Sequence, residues 1–73
     1  MKTLSPKLRL VLLQGVKQAG SYEPDEALVE YEEYLTSPEY SLAFDFLTWV
    51  VNNATTFGNG NIDETFARYQ RSK

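Results

Sequence analysis

Residues 38–53 read PEYSLAFDFLTWVVNN, the most apolar and most aromatic stretch of the sequence. Advancing 100° per residue, Ser41, Asp45, Thr48 and Asn52 fall into one narrow polar stripe, and the rest of the wheel is apolar. A helix apolar over most of its circumference needs cover on several sides. The stretch therefore predicts the central helix of a small domain. Thr36-Ser37-Pro38 marks its start, with Ser37 as N-cap and Pro38 at the first position. Two consecutive asparagines end it near Asn53.

Upstream, Pro24 opens a helix with Asp25 and Glu26 in its first turn, where they suit the positive end of the helix dipole. Ala27, Leu28, Tyr31, Tyr34 and Leu35 form its inner face, and Glu26, Glu30 and Glu33 an outer acidic ridge that Glu23 and Glu32 extend. Further upstream, Ser5-Pro6 starts a helix in which Leu8, Val11, Leu12, Gly15, Val16 and Ala19 recur at helical spacing, and Gly20 ends it. Gly15, on the apolar face, costs about 1 kcal/mol against alanine. The expected compensation is close approach of another element, with the central helix as first candidate.

Downstream, Ala54–Gly60 reads ATTFGNG, a loop or a short β element at 55–61. Asn61 then caps a last short helix in a capping box with Glu64, and Ile62, Phe66 and Tyr69 share one face. The expected architecture is one all-α domain over residues 1–73: three main helices, a short C-terminal helix and a possible β element near 55–61.

A chain of 73 residues is one domain. Without cysteine or histidine it has no disulfide, no thiol nucleophile and neither of the usual imidazole or thiolate metal ligands. The opening predicts no signal peptide, and no apolar run approaches the length of a membrane span. A cytoplasmic monomer without cofactor or metal is expected.

The net charge of −3 conceals segregation: residues 1–20 carry Lys2, Lys7, Arg9 and Lys17 with no acid, residues 23–33 carry six acids with no base, and Arg68, Arg71 and Lys73 close the chain. Such a dipolar surface suits a partner with its own charge pattern. A solvated acidic face balancing basic termini accounts for the same distribution.

Candidate chemistry is thin. Gly58-Asn59-Gly60 lacks the third glycine and the lysine of a phosphate loop, and Asn59, Asn61 and Asp63 lack the spacing of a calcium loop. The acids of the ridge read as solvated rather than as a catalytic pair, so an enzyme is not expected. Asp45 lies on the apolar helix but within its polar stripe, so it should face water. The acidic total opposes autonomous nucleic-acid binding, although Arg68 and Arg71 could face nucleic acid held by a partner. Partner contacts are expected of Glu26, Glu30 and Glu33 through charge, and of Phe57 and Asn59 in the loop. Trp49 reads as core, and Phe57 as either core or exposed anchor.

The opening MKTLSPKLRLVLLQGVKQ, the length and the acidic middle together resemble the small RNA polymerase-binding transcription regulators of lytic Xanthomonas bacteriophages. The resemblance implies a phage factor acting in the host bacterial cytoplasm. Its partner would be bacterial RNA polymerase, at the N-terminal segment of β′ near the β flap and the RNA exit channel. It would block σ-dependent initiation and suppress intrinsic termination, meeting nucleic acid only through the complex. The residues themselves leave two alternatives open: an acidic nucleic-acid mimic or anti-host inhibitor of another basic bacterial protein, and a nucleic-acid-binding module acting alone.

Overall fold

The computed structural model describes residues 4–72. Lys2 and Lys73, counted above among the basic ends, lie outside them. Four α-helices follow one another: α1 (Pro6–Ala19), α2 (Pro24–Ala27), α3 (Ser37–Asn52) and α4 (Ile62–Arg71), with a 3-10 turn at Val29–Tyr31 between α2 and α3. The expected all-α class holds. No strand forms among the described residues, so 53–61 is loop rather than β.

The central position of α3 holds, since α1, α2 and α4 all pack on it. Its residues Ala43, Phe46, Leu47 and Val50 are buried. They meet Leu8, Val11 and Leu12 of α1, Ala27, Leu28 and Leu35 of the second segment, and Ile62, Phe66 and Tyr69 of α4 in one core. The Phe46 ring is the hub, with ring centroids of Phe57, Phe66 and Tyr69 at 5.4, 5.3 and 5.3 Å. Cover on α3 is incomplete, however: Phe44 and Val51 remain 36% and 38% exposed.

The helix starts have concrete causes. The Ser5 hydroxyl accepts from the Leu8 N–H at 3.2 Å, and Gly20 closes α1 in the left-handed conformation at φ 67°. At α3 the cap is Thr36, not Ser37. Its hydroxyl accepts from the Glu39 N–H at 3.4 Å, and the Glu39 carboxylate accepts from the Thr36 N–H at 2.9 Å. This reciprocal box fits the T-x-x-E spacing, which outweighs the serine beside the proline. The box expected at Asn61 and Glu64 does not form. The Asn61 side chain instead accepts from the Gly58 N–H at 2.6 Å, which tightens the loop before α4.

The second segment departs most from expectation. Its α-helix ends after Ala27, with Leu28 at φ −104° and ψ −2°, and the 3-10 turn and further turns carry the chain to Leu35. A continuous helix would have put Glu32 and Glu33 at the negative end of its own dipole with no base in the last turn. Like charges at Glu26 and Glu30 would have stood four residues apart. The broken path still buries Ala27, Leu28 and Leu35.

Candidate functional site

Gly15 is where α1 and the second segment come closest. A Cβ there would fall well inside van der Waals contact distance of the Ala27 carbonyl oxygen, 3.2 Å from the Ala27 carbonyl carbon and 3.5 Å from the Tyr31 ring. The approach expected of α3 is therefore made by α2. Because the backbones touch here, the surface beside them is left as an open depression of about 400 Å³. Gly15, Ala19, Ala27, Val29 and Tyr31 give it an apolar lining, and Asp25, Glu26 and Glu30 are its charged residues. Gln18 completes it, and among the described residues no cation lines it. Val29 is 56% exposed.

The broken helix rearranges the acidic ridge. Glu26 and Glu30 both border the depression, whereas Glu33 is exposed in the turn beyond and does not line it. The depression thus combines an apolar lining with three carboxylates, a surface that favours a basic, partly apolar protein segment over a phosphate backbone.

Phe57 requires a correction. It is 6% exposed, its ring edge-on to Tyr22 with centroids 5.1 Å apart, and the Tyr22 hydroxyl donates to the Phe57 carbonyl at 2.7 Å. Phe57 is core, because Phe46 and Tyr22 offer an aromatic slot that an exposed ring would leave empty. Asn59 stays exposed, and its carbonyl accepts from Arg9 at 3.4 Å. Phe57 and Asn59 are separated from the acidic depression, and they border a shallower one with Leu13, Val16, Lys17, Tyr22 and Gly58. Arg68 and Arg71 are exposed on the outer face of α4 with Glu64.

Asp45 accepts a hydrogen bond from the Tyr69 hydroxyl, so this residue of the polar stripe also fastens α3 to α4. Ser41, Asp45 and Asn52 are exposed and Thr48 is partly so, as the stripe requires.

Sequence reading missed a cluster at the α1–α3 junction. Lys7 donates to Glu39 at 3.0 Å and stands 4.8 Å from the centre of the Tyr34 ring. The Thr36 backbone N–H, and then Lys7, hold the Glu39 carboxyl below its ordinary range. Arg9 pairs with Asp63 at 2.6 Å, joining α1 to α4. Two bases of the N-terminal basic segment are therefore structural. Their sequence separations of 32 and 54 residues put these pairings beyond any local pattern.

Tyr40 is also notable. Burial first, then the charges of Glu32 and Asp25, push its hydroxyl above the ordinary tyrosine range. Among the described residues no group of His, Cys, Asp and Glu could hold a metal ion, and no helix is long and apolar enough to cross a membrane. Comparison with known protein families, with curated proteins and with solved structures returns no match.

Proposed function

We propose that this protein is a non-enzymatic regulator that binds bacterial RNA polymerase in the host cytoplasm. In this reading it docks on the N-terminal segment of β′ near the β flap and RNA exit channel, blocks σ-dependent initiation and suppresses intrinsic termination. The observation that carries a binding role is the Gly15 depression, where Asp25, Glu26 and Glu30 surround an apolar lining with no cation among the described residues. The polymerase as partner rests on the resemblance of the opening and the acidic middle. Glu26 and Glu30 supply the charge contact, Glu33 adds to the surrounding field, and Asn59 lies apart beside the Lys17 depression. Arg68 and Arg71 point toward nucleic acid held by the complex.

Polymerase retention on immobilised protein, compared between wild type and the Glu26→Lys/Glu30→Lys variant, tests this reading. Reversal of two contacting charges should weaken retention at low salt by about tenfold or more. Arg68→Ala/Arg71→Ala should keep retention and lower read-through at an intrinsic terminator. Equal retention of wild type and the double reversal removes the depression from the interface. Recovery of a nuclease or nucleoid protein from lysate, without β′ and β, supports the acidic-mimic reading, which the three acids lining the depression also favour. A mobility shift by the protein alone at physiological salt supports an autonomous nucleic-acid module.

A further inference from the structure

Two more depressions, of about 320 and 410 Å³, lie side by side along α3 and share Tyr40 and Ser41. Glu32, Leu35 and Ser37 complete the first, and Phe44 and Asp45 the second. Together they form one groove on the part of α3 that α1, α2 and α4 leave uncovered. We propose that this groove is a second docking surface, and that it receives a basic segment of another protein, which seats one apolar side chain against Tyr40 and Phe44 between flanking lysines or arginines.

The apolar anchor is argued from the rings. The centroids of Tyr40 and Phe44 are 6.1 Å apart and tilted, and they present adjoining faces on successive turns of the helix. The exposed Val51, seven residues beyond Phe44, continues the apolar edge. Aromatic side chains in a depression are the usual anchors of protein interfaces.

The sign of the partner is argued from charge. Glu32 lines the groove and Asp45, which already accepts from the Tyr69 hydroxyl, borders it; among the described residues no cation does. Asp25 also acts on the Tyr40 hydroxyl, so a third carboxylate bears on the same place. Phosphate backbones and anionic lipid surfaces are repelled by that field, and a lysine- or arginine-bearing peptide is attracted. A second copy of the chain is a poor fit. The exposed arginines of α4 share their face with Glu64 and no large apolar group, and on α1 Lys7 and Arg9 are committed to ion pairs, which leaves Lys17 as a single base where the groove calls for two flanking ones. None of the residues lining the groove lines the Gly15 depression.

A library of random twelve-residue peptides, displayed and selected on the full chain, tests it. Selected peptides should carry lysine or arginine on both sides of an apolar residue. They should bind Phe44→Ser and Glu32→Lys about tenfold more weakly than wild type and bind Glu26→Lys equally well. Phe44 and Glu32 lie outside the core, and circular dichroism of each variant verifies that the fold is kept. Should Phe44→Ser fail to fold, Glu32→Lys alone decides. The proposal is overturned by selected peptides without a basic bias, by binding insensitive to these substitutions, or by failure to enrich any peptide. Concentration-dependent shifts of the Tyr40 and Phe44 amide resonances without peptide would assign the groove to a second copy, and would overturn it equally.

Discussion

A methyl group at position 15 has no room, because the Ala27 carbonyl occupies the space. Gly15→Ala, stabilising in an ordinary helix, should here cost about 2 kcal/mol, since the obstacle is backbone and cannot rotate away. Chemical denaturation of the two proteins checks this. Ala54 is the converse case, a non-glycine residue at φ 50°. Ala54→Gly should raise stability by about 0.5–1 kcal/mol in the same assay, because glycine adopts that conformation without a Cβ penalty. At the α3 cap, Thr36→Ala should cost about 1 kcal/mol. Glu39 adds a pH signature. Its folded carboxyl titrates below the ordinary value of 4.5, so its contribution is present above that pH and is lost as the pH falls through the lowered folded value. The melting-temperature gap between wild type and Glu39→Gln should therefore narrow on acidification below pH 4.5. A gap constant down to pH 3 would show that the carboxylate contributes nothing there.

At the level of elements, local chemistry made some features readable and hid others. Pro6, Pro24 and Pro38 each lie at the start of a helix, since proline tolerates only the first turn. The apolar faces of α1 and α4 followed from period alone. The length of the second helix did not. Ala27, Leu28, Tyr31, Tyr34 and Leu35 fit a helical period, but a period does not report the field of four crowded glutamates with no base to close the helix. Charge could have raised the doubt. Only the fold could show that Tyr34 would lie beside Lys7, or that Glu33 would part from Glu26 and Glu30. The loop before α4 was ambiguous for another reason: Thr55, Thr56 and Phe57 suit a strand, but no neighbouring strand exists among the described residues to pair with them, and Phe57 is claimed by the aromatic core. Tyr22→Phe keeps that ring and removes the hydroxyl bond to the Phe57 carbonyl, so it should cost about 1 kcal/mol. An equal loss in Tyr22→Phe and Tyr22→Ala would mean that the ring packing is worthless, contrary to the geometry.

Across the molecule, the charge segregation seen in the sequence is partly cancelled by folding, because Lys7 and Arg9 reach acids of α3 and α4. The depressions beside α2 and α3 are still lined by acids and, among the described residues, by no base. Association with a basic partner should therefore slow severalfold between 50 and 200 mM salt while dissociation changes little, a pattern that stopped-flow mixing resolves. Trp49 supplies a second signal, separate from that association. It is the sole tryptophan, and its ring centroid lies 5.8 Å from that of Tyr69, whose hydroxyl bonds to Asp45. Its fluorescence consequently samples the seam between α3 and α4 more than the chain at large. A ligand that pries α4 loose would change emission before helix content falls, and one that settles in the Gly15 depression would leave the optical readout almost silent.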